Sequence, residues 1–557
     1  MLERILAAAW LVAAAGAAHA QGARPGPPDL VLTGGKVFTA DSARPWAEAV
    51  AIRGDRVVAV GTTAEVSRLA GRSTRRIALG GRVVVPGFND AHDHAGAAEY
   101  GVQFATGAAP LPDPELRQVL DSLGALARRT PRGTWLHTVV GLRILEDPAA
   151  GRDALDRAAP DHPVLLWAWT GHGAVVNTAA MRALGIPEHV RDPVGGWYGR
   201  DAAGRLTGLL REYAEWSALR RLYSGVPDAD VVAALRRYAE EGARMGITSV
   251  QSMNGYLDPA KTVRVLRAAR LPVRFRAVPY LMTDAGGRRL AEWRDVERAP
   301  APLSVISGAK WVLDATPIER DALMRAPYAD RPGWHGRLDF PPDTVRAILA
   351  EALTGREQLM LHVAGDSTLR VAFAAMQALA PDSAWRRLRV RIEHGDWLAG
   401  DLLPVARRLG VVVVQNPSHF AFDPAMLRAR FGRVPPEFQQ SRSVLAAGVP
   451  VAFGSDGPRS PFLNLMFAVT HPTNPGEALT REQAVVAYTR GSAYAEFAER
   501  DKGTLAPGML ADLAVLSQDI FTVPAEALPG TTSVLTLVGG SVVHDALAPG
   551  VPVRKDR

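Results

Sequence analysis

Short runs of β-branched residues broken by glycine open the chain: DLVLTGGKVFT, AEAVAIRGDRVVAVG and RRIALGGRVVVPG, between Asp29 and about Val85. Such runs, punctuated by Gly-Gly or Gly-Asp, predict hairpins. The same texture returns in ADLAVLSQDIF (511–521) and SVLTLVGGSVVH (533–544). Neither stretch closes a core alone, so 29–85 and 503–550 are predicted to combine into one small β-sandwich-like domain. Between them apolar runs alternate with helical patterns, which indicates βα units and a parallel sheet. Candidate strands end near His94, Gln251, Leu281, Leu313, Val363, His394, Gln415 and Asp456. Eight such units predict an α/β fold, a (β/α)8 TIM-like barrel over 86–502. The first connection is about 150 residues long, far more than one crossover helix needs. An insertion over 100–235, after barrel strand 1, accounts for it; it carries the strand-like PVLLWAWTGH (163–172) and the turn-rich DPVGGWYGRDAAGRLTG (192–208).

The first twenty residues follow a different logic. Arg4 precedes an apolar stretch from Ile5 to Ala18, and Ala18-His19-Ala20 before Gln21 has the small-x-small form of a secretory cleavage site. The stretch is shorter than the roughly 20 residues a membrane-spanning helix requires. Residues 1–20 therefore read as a signal peptide. The mature chain is expected to be secreted, periplasmic in a Gram-negative cell, with no stable membrane insertion once the signal is removed.

The 557 residues are 47% hydrophobic and 22% charged, which excludes a chain disordered throughout. There is no cysteine, so disulfides, thiolate nucleophiles and Cys-ligated metals are excluded, and any metal must be held by His, carboxylates or a modified Lys. The formal charge is +7, but only five of the 64 basic residues are Lys and the arginines are spread along the chain. No dense basic tract with interleaved aromatics marks a nucleic-acid surface, so the expected partner is a small-molecule substrate and no nucleic acid. The oligomeric state, including a homo-oligomer, is left open.

The candidate chemistry sits at the strand ends. His92 and His94 flank Asp93, and residues i and i+2 of a strand point the same way, so both imidazoles can reach one metal ion. Lys310 lies in the apolar run VISGAKWVL. Burial disfavours its ammonium, freeing the amine to react with carbon dioxide, although pairing with Asp314 is an alternative. His362 in LHVAGD and His394 in RIEHGD close two further runs, at the barrel face where active sites form. Asp456 in VAFGSDGP ends the eighth, beside two glycines that would let a substrate approach. Glu393, next to His394 in a strand, should face the opposite way.

This constellation resembles the amidohydrolase superfamily, and within it amidohydrolase family 3, over roughly residues 29–545. PGFNDAHDH, GHGAVVN, GAKWVLDA, APYADRPG, HVAGD, RIEHGD, GSDGP and KGTLAPGMLADLAVL stand in that family's order. The resemblance implies a metal-dependent hydrolase with one or two divalent ions. His92 and His94 would hold the more buried ion, carbamylated Lys310 would bridge, and His362 and His394 would hold the second. Asp456 would be both ligand and catalytic proton shuttle. Zinc suits the imidazole-rich set, and a metal-activated hydroxide would attack a C–N bond of amide, N-acyl or formamide type. Substrate contacts are expected from His172 and Asn177 of GHGAVVN, with a capping or turn role as the alternative, from Trp311, bulkier than the residue the family shows there, and from His419 and Arg459, for which a plain loop role is the alternative. Trp397 is a further candidate for the pocket. Glu212 in TGLLREYA matches a family position and also reads as an exposed helix carboxylate. An esterase or lactonase on the same site, or a non-catalytic binding protein on an inherited barrel, remain the alternatives.

Overall fold

The computed structural model describes residues 26–95, 98–106 and 113–547; the expected signal peptide lies outside them. Among these residues no helix is long and apolar enough to cross a membrane. Eight parallel strands form a barrel: β1 (Phe88–Asp93), β2 (Ile247–Asn254), β3 (Arg274–Pro279), β4 (Ser304–Ile306 and then Ala309–Val312), β5 (Leu359–Val363), β6 (Arg391–His394), β7 (Val412–Gln415) and β8 (Val451–Phe453). Parallel ladders run from β1 to the first piece of β4, and from its second piece to β8. A bridge between Tyr280 and Lys310 joins the two halves.

The remaining seam, β8 against β1, is closed by two hydrogen bonds. Asp456 N donates to His92 O at 2.9 Å, and Ser455 N donates to Asp90 Oδ1 at 2.9 Å. Only glycine fits at the crossing: a Cβ on Gly454 would stand 2.4 Å from His92 N and 2.8 Å from His92 Cα. The glycine ahead of Asp456 thus admits the first strand rather than a substrate. Outside the barrel, α1 (Asp228–Arg244) shows why its sequence is helical. Val231, Leu235, Ala239 and Gly242 bury one stripe, and Asp228 and Asp230 sit in the positively polarised first turn.

Two sheets built from the chain ends abut the barrel. One is ordered Arg56–Gly61, Ala49–Arg53, Leu30–Thr33, Arg75–Ala78. The other is ordered Ser541–Asp545, Ser533–Val538, Leu513–Leu516, Val83–Pro86, Lys36–Phe38, Trp46–Ala47. Leu32, Ile52, Val37, Val515 and Leu537 bury between them. The hairpins across Gly54-Asp55 and Gly539-Gly540 are present, but those predicted at Gly34-Gly35 and Gly80-Gly81 are not. Gly34-Gly35 and Gly80-Gly81 carry the chain from one sheet to the other. The two corners lie against each other, with Gly81 N donating to Gly34 O at 2.7 Å, and a Cβ on Gly35 would meet Leu79 Cδ1 at 2.4 Å.

The long first connection builds a six-stranded sheet ordered Gly196–Arg200, Leu206–Glu212, Ala174–Val176, Val164–Ala168, Leu136–Val140, Val102–Gln103. Asn177 is fully buried within it. Its Oδ1 accepts from Ala180 N, capping the helix Thr178–Ala183, and from Val164 N, while Nδ2 donates to His162 O at 2.8 Å. Every polar atom of that side chain serves the fold, which corrects its expected role in substrate binding.

Gly454→Ala is expected to destabilise the protein by about 1–3 kcal/mol or more, because a Cβ there strikes rigid backbone. Gly355→Ala, at a helical end with open space around it, should be neutral or slightly stabilising; thermal melting of both variants checks the contrast. Asn177→Ala should cost about 1–3 kcal/mol through the lost cap and the orphaned Val164 N–H. Its kinetic constants at a temperature where it stays folded should match those of the wild type.

Candidate metal centre

Asp456 is the hub of the site. Its Oδ1 lies 3.4 Å from His94 Nε2 and 3.7 Å from His92 Nε2, and its Oδ2 lies 3.9 Å from both His394 Nδ1 and His419 Nε2. His92, His94 and Asp456 form one set of metal-ligand spacing, and His394, His419 and Asp456 a second. His362 joins from the end of β5, its ring centroid 4.4 Å from that of His394. The five predicted strand ends thus converge on one face of the barrel.

The electrostatics match a cation site. Burial and neighbouring cationic groups hold His362 well below the usual imidazole range. Burial acts likewise on His394. Burial raises Asp456, but His92, His94 and His394 outweigh it and keep the carboxyl well below its ordinary range. Imidazoles around an ionised carboxylate are the donors that a borderline divalent ion takes. His362 Nε2 is buried with no hydrogen-bond partner, a lone-pair nitrogen that such an ion would satisfy. The residues present therefore fit a divalent metal. Lys310 is buried in the same wall, and desolvation brings its ammonium down to about 8.

Two departures from ideal strands aim these groups. His394 has φ +69° and Asp456 φ +46°, left-handed conformations that cost a non-glycine residue on the order of 1–3 kcal/mol. At His394 the turn breaks the alternation of β6. Glu393 therefore points inward, against expectation, with Oε2 2.6 Å from His92 Nδ1, and His394 turns in beside it. Asp314 does not pair with Lys310. It accepts from Ala364 N and Gly365 N at 2.9 Å and from the Thr368 hydroxyl at 2.7 Å, lacing the loops after β4 and β5 together.

The insertion supplies one more imidazole. His172 lies with its ring centroid 5.0 Å from that of His362, and Glu212 Oε2 is 3.0 Å from its Nδ1. Glu212 is buried, not an exposed helix carboxylate, and adopts φ +51°. Burial lowers His172, but Glu212, joined by Glu319 and Glu215, more than offsets this and raises it to about 9. His419 flanks the centre, its ring stacked on those of His394 and Phe422 at 5.7 Å. Three other candidates lie elsewhere. Trp311, following Lys310 on β4, faces out of the barrel and packs on Phe340 and Tyr213. Arg459 donates to Glu241 at 2.6 Å and lies over the Tyr238 ring. Trp397 packs against Phe431 and Phe438 in an apolar cluster. Asn177 stays in the insertion sheet.

Sequence reasoning missed Asp90, Asn416 and Arg391. Asp90 ties β1 to the loop of Asp456, Asn416 Oδ1 lies 2.9 Å from His394 Nδ1, and Arg391 pairs with Glu393 at 2.8 Å. Buried charge in the runs NDAHDH and RIEH was the available signal for Asp90 and Arg391; Asn416, uncharged after an apolar strand, gave none.

Comparison with known proteins accords with this geometry. A family model described as the amidohydrolase family matches residues 75–544. An N-substituted formamide deformylase of Arthrobacter pascens is 27% identical, the match covering 88% of this chain and 94% of that protein. A putative amidohydrolase of Bacillus subtilis, YtcJ, is 26% identical over 92% of this chain and 98% of its own. An uncharacterized metal-dependent hydrolase from Pyrococcus horikoshii superposes with a TM-score of 0.69 at 22% identity, over 89% of this chain and 99% of that one. With the match running over every barrel strand, the chain belongs to the amidohydrolase family and is a hydrolase.

Proposed function

We propose that the protein is an exported, metal-dependent hydrolase of a C–N bond, of amide, N-acyl or formamide type, in a small molecule. The observation that carries this reading is the Asp456 carboxylate within 3.4–3.9 Å of four imidazoles, beside the unpartnered nitrogen of His362. The formamide deformylase among its relatives supports the choice of bond.

His92, His94 and Asp456 would hold one divalent ion, zinc by donor type, and His362 and His394 a second, with Lys310 as its carbamate between them. The amine of Lys310, with its ammonium near 8, is unprotonated in a fraction sufficient to take up carbon dioxide. When bound, the metal supplies Lewis acidity and makes a water acidic enough to attack at neutral pH. The chain does the rest. Asp456 is ionised, accepts the proton of the attacking water and returns it to the leaving nitrogen. His172, its Nδ1 held by Glu212, offers Nε2 to the substrate carbonyl oxygen from the insertion side. Asn416 holds the His394 ring in place.

Elemental mass spectrometry of protein purified without chelator should give nearly two equivalents of zinc, falling sharply in Lys310→Ala. Absence of metal after reconstitution with zinc and bicarbonate would overturn the reading. Against a panel of N-substituted formamides and N-acyl amines, Asp456→Asn should lose about 10²–10⁴-fold in kcat, the usual worth of a general acid–base group, while retaining most of its metal. Full activity in that variant would remove Asp456 from the proton path.

A further inference from the structure

We infer that Glu393, gripped by Arg391, is a positioning residue for His92, and that an ion carried by His92 and His94 depends on it selectively. This rests on the reading of the site as a metal centre. Glu393 and Arg391 are both fully buried. The Arg391 fork holds the carboxylate at both oxygens, Nε to Oε1 at 2.8 Å and Nη2 to Oε2 at 3.0 Å. The guanidinium is itself anchored on two other strands, to Ala91 O of β1 at 2.6 Å and to the Gln251 amide oxygen of β2. The carboxylate therefore has a fixed plane and position, and its Oε2 meets His92 Nδ1 at 2.6 Å.

An anionic oxygen at that distance selects the tautomer with the proton on Nδ1, which leaves the Nε2 lone pair free. Nε2 is the nitrogen that faces Asp456. A carboxylate behind a metal-binding imidazole fixes its rotation and raises its basicity. Among the described residues none of His94, His362, His394 and His419 has this backing; the carboxylate behind His172, that of Glu212, serves an imidazole that is not placed as a ligand. His394 Nδ1 meets only the neutral amide oxygen of Asn416 at hydrogen-bond distance. His362 Nε2 has no partner. His94 and His419 face Asp456 itself. The asymmetry places the support under one ion and not the other.

The test is zinc titration of the metal-free protein against a chromophoric chelator, with cobalt(II) absorption as a second readout. Glu393→Gln keeps the shape and removes the charge. It should weaken the His92–His94 ion by about 10–100-fold, shift the cobalt band of that site, and leave the other ion within about 2-fold. Glu393→Leu should weaken the same ion further. If the single variants do not fold with Arg391 left unpaired, Arg391→Met combined with Glu393→Gln removes the stranded charge and is read in the same way. Equal weakening of both ions, in step with a lower melting temperature of the metal-free protein, would reduce Glu393 to a structural role and overturn the inference. Unchanged zinc affinity would overturn it too. Wild-type protein that takes up no divalent ion would instead overturn the metal reading, and the inference with it.

Discussion

The seam where β8 meets β1 is the constraint on which the site depends. A barrel must bring its last strand back to its first, and here the return is made by two hydrogen bonds and one missing side chain. Gly454 lets the backbones touch, Asp90 accepts from Ser455 N, and Asp456 N reaches His92 O. The closure that completes the fold also sets the Asp456 carboxylate among imidazoles from β1, β6 and the loop after β7. The positive φ of Asp456 is tolerated because the contacts on either side leave it no alternative.

Below the site the barrel interior is unusually polar. Arg391, Glu393 and Gln251 sit beside Asn89, Glu496 and Lys502, joined by hydrogen bonds and ion pairs. Charges in such a place carry a desolvation cost that pairing only partly offsets, so they are weak evidence for stability. What they supply is fixed direction. Burial and Asp93 push the Asp90 carboxyl up to about 8, yet it still receives Ser455 N and lies within reach of the Tyr488 hydroxyl. The interior is a rigid mount whose cost is met by the apolar helical shell around it.

The catalytic side of the barrel was legible because its chemistry falls at the ends of apolar runs. His92, His94, His362, His394 and Asp456 each close a strand, and Lys310 stands out in a chain with few lysines. Strict alternation then placed Glu393 on the wrong side, because a left-handed residue at His394 cannot be foreseen from RIEHGD. The same alternation, applied to Lys310, would have sent Trp311 outward. Asn177 stood open between a cap and a substrate contact because both call for the same amide, and the structure selects the cap. The Gly-Gly corners looked like hairpin turns, since glycine marks a reversal and a change of sheet with the same freedom of φ. The insertion was visible as excess length, and GHGAVVN marked His172, the imidazole it holds against His362.

The pairing of Val83–Pro86 with Leu513–Leu516 has a temporal meaning. These strands are neighbours in space and more than four hundred positions apart in sequence, and the strand that leads directly into β1 is one of them. During synthesis that sheet lacks its central partner until almost the whole polypeptide has emerged. Entropy of closure rises slowly with length, so the delay is one of waiting rather than of energy. The barrel can gather its units in order, while the bracket around its first strand is the last part to lock. A ribosome that stops early leaves a chain with most of its candidate metal-binding residues and an open edge beside His92.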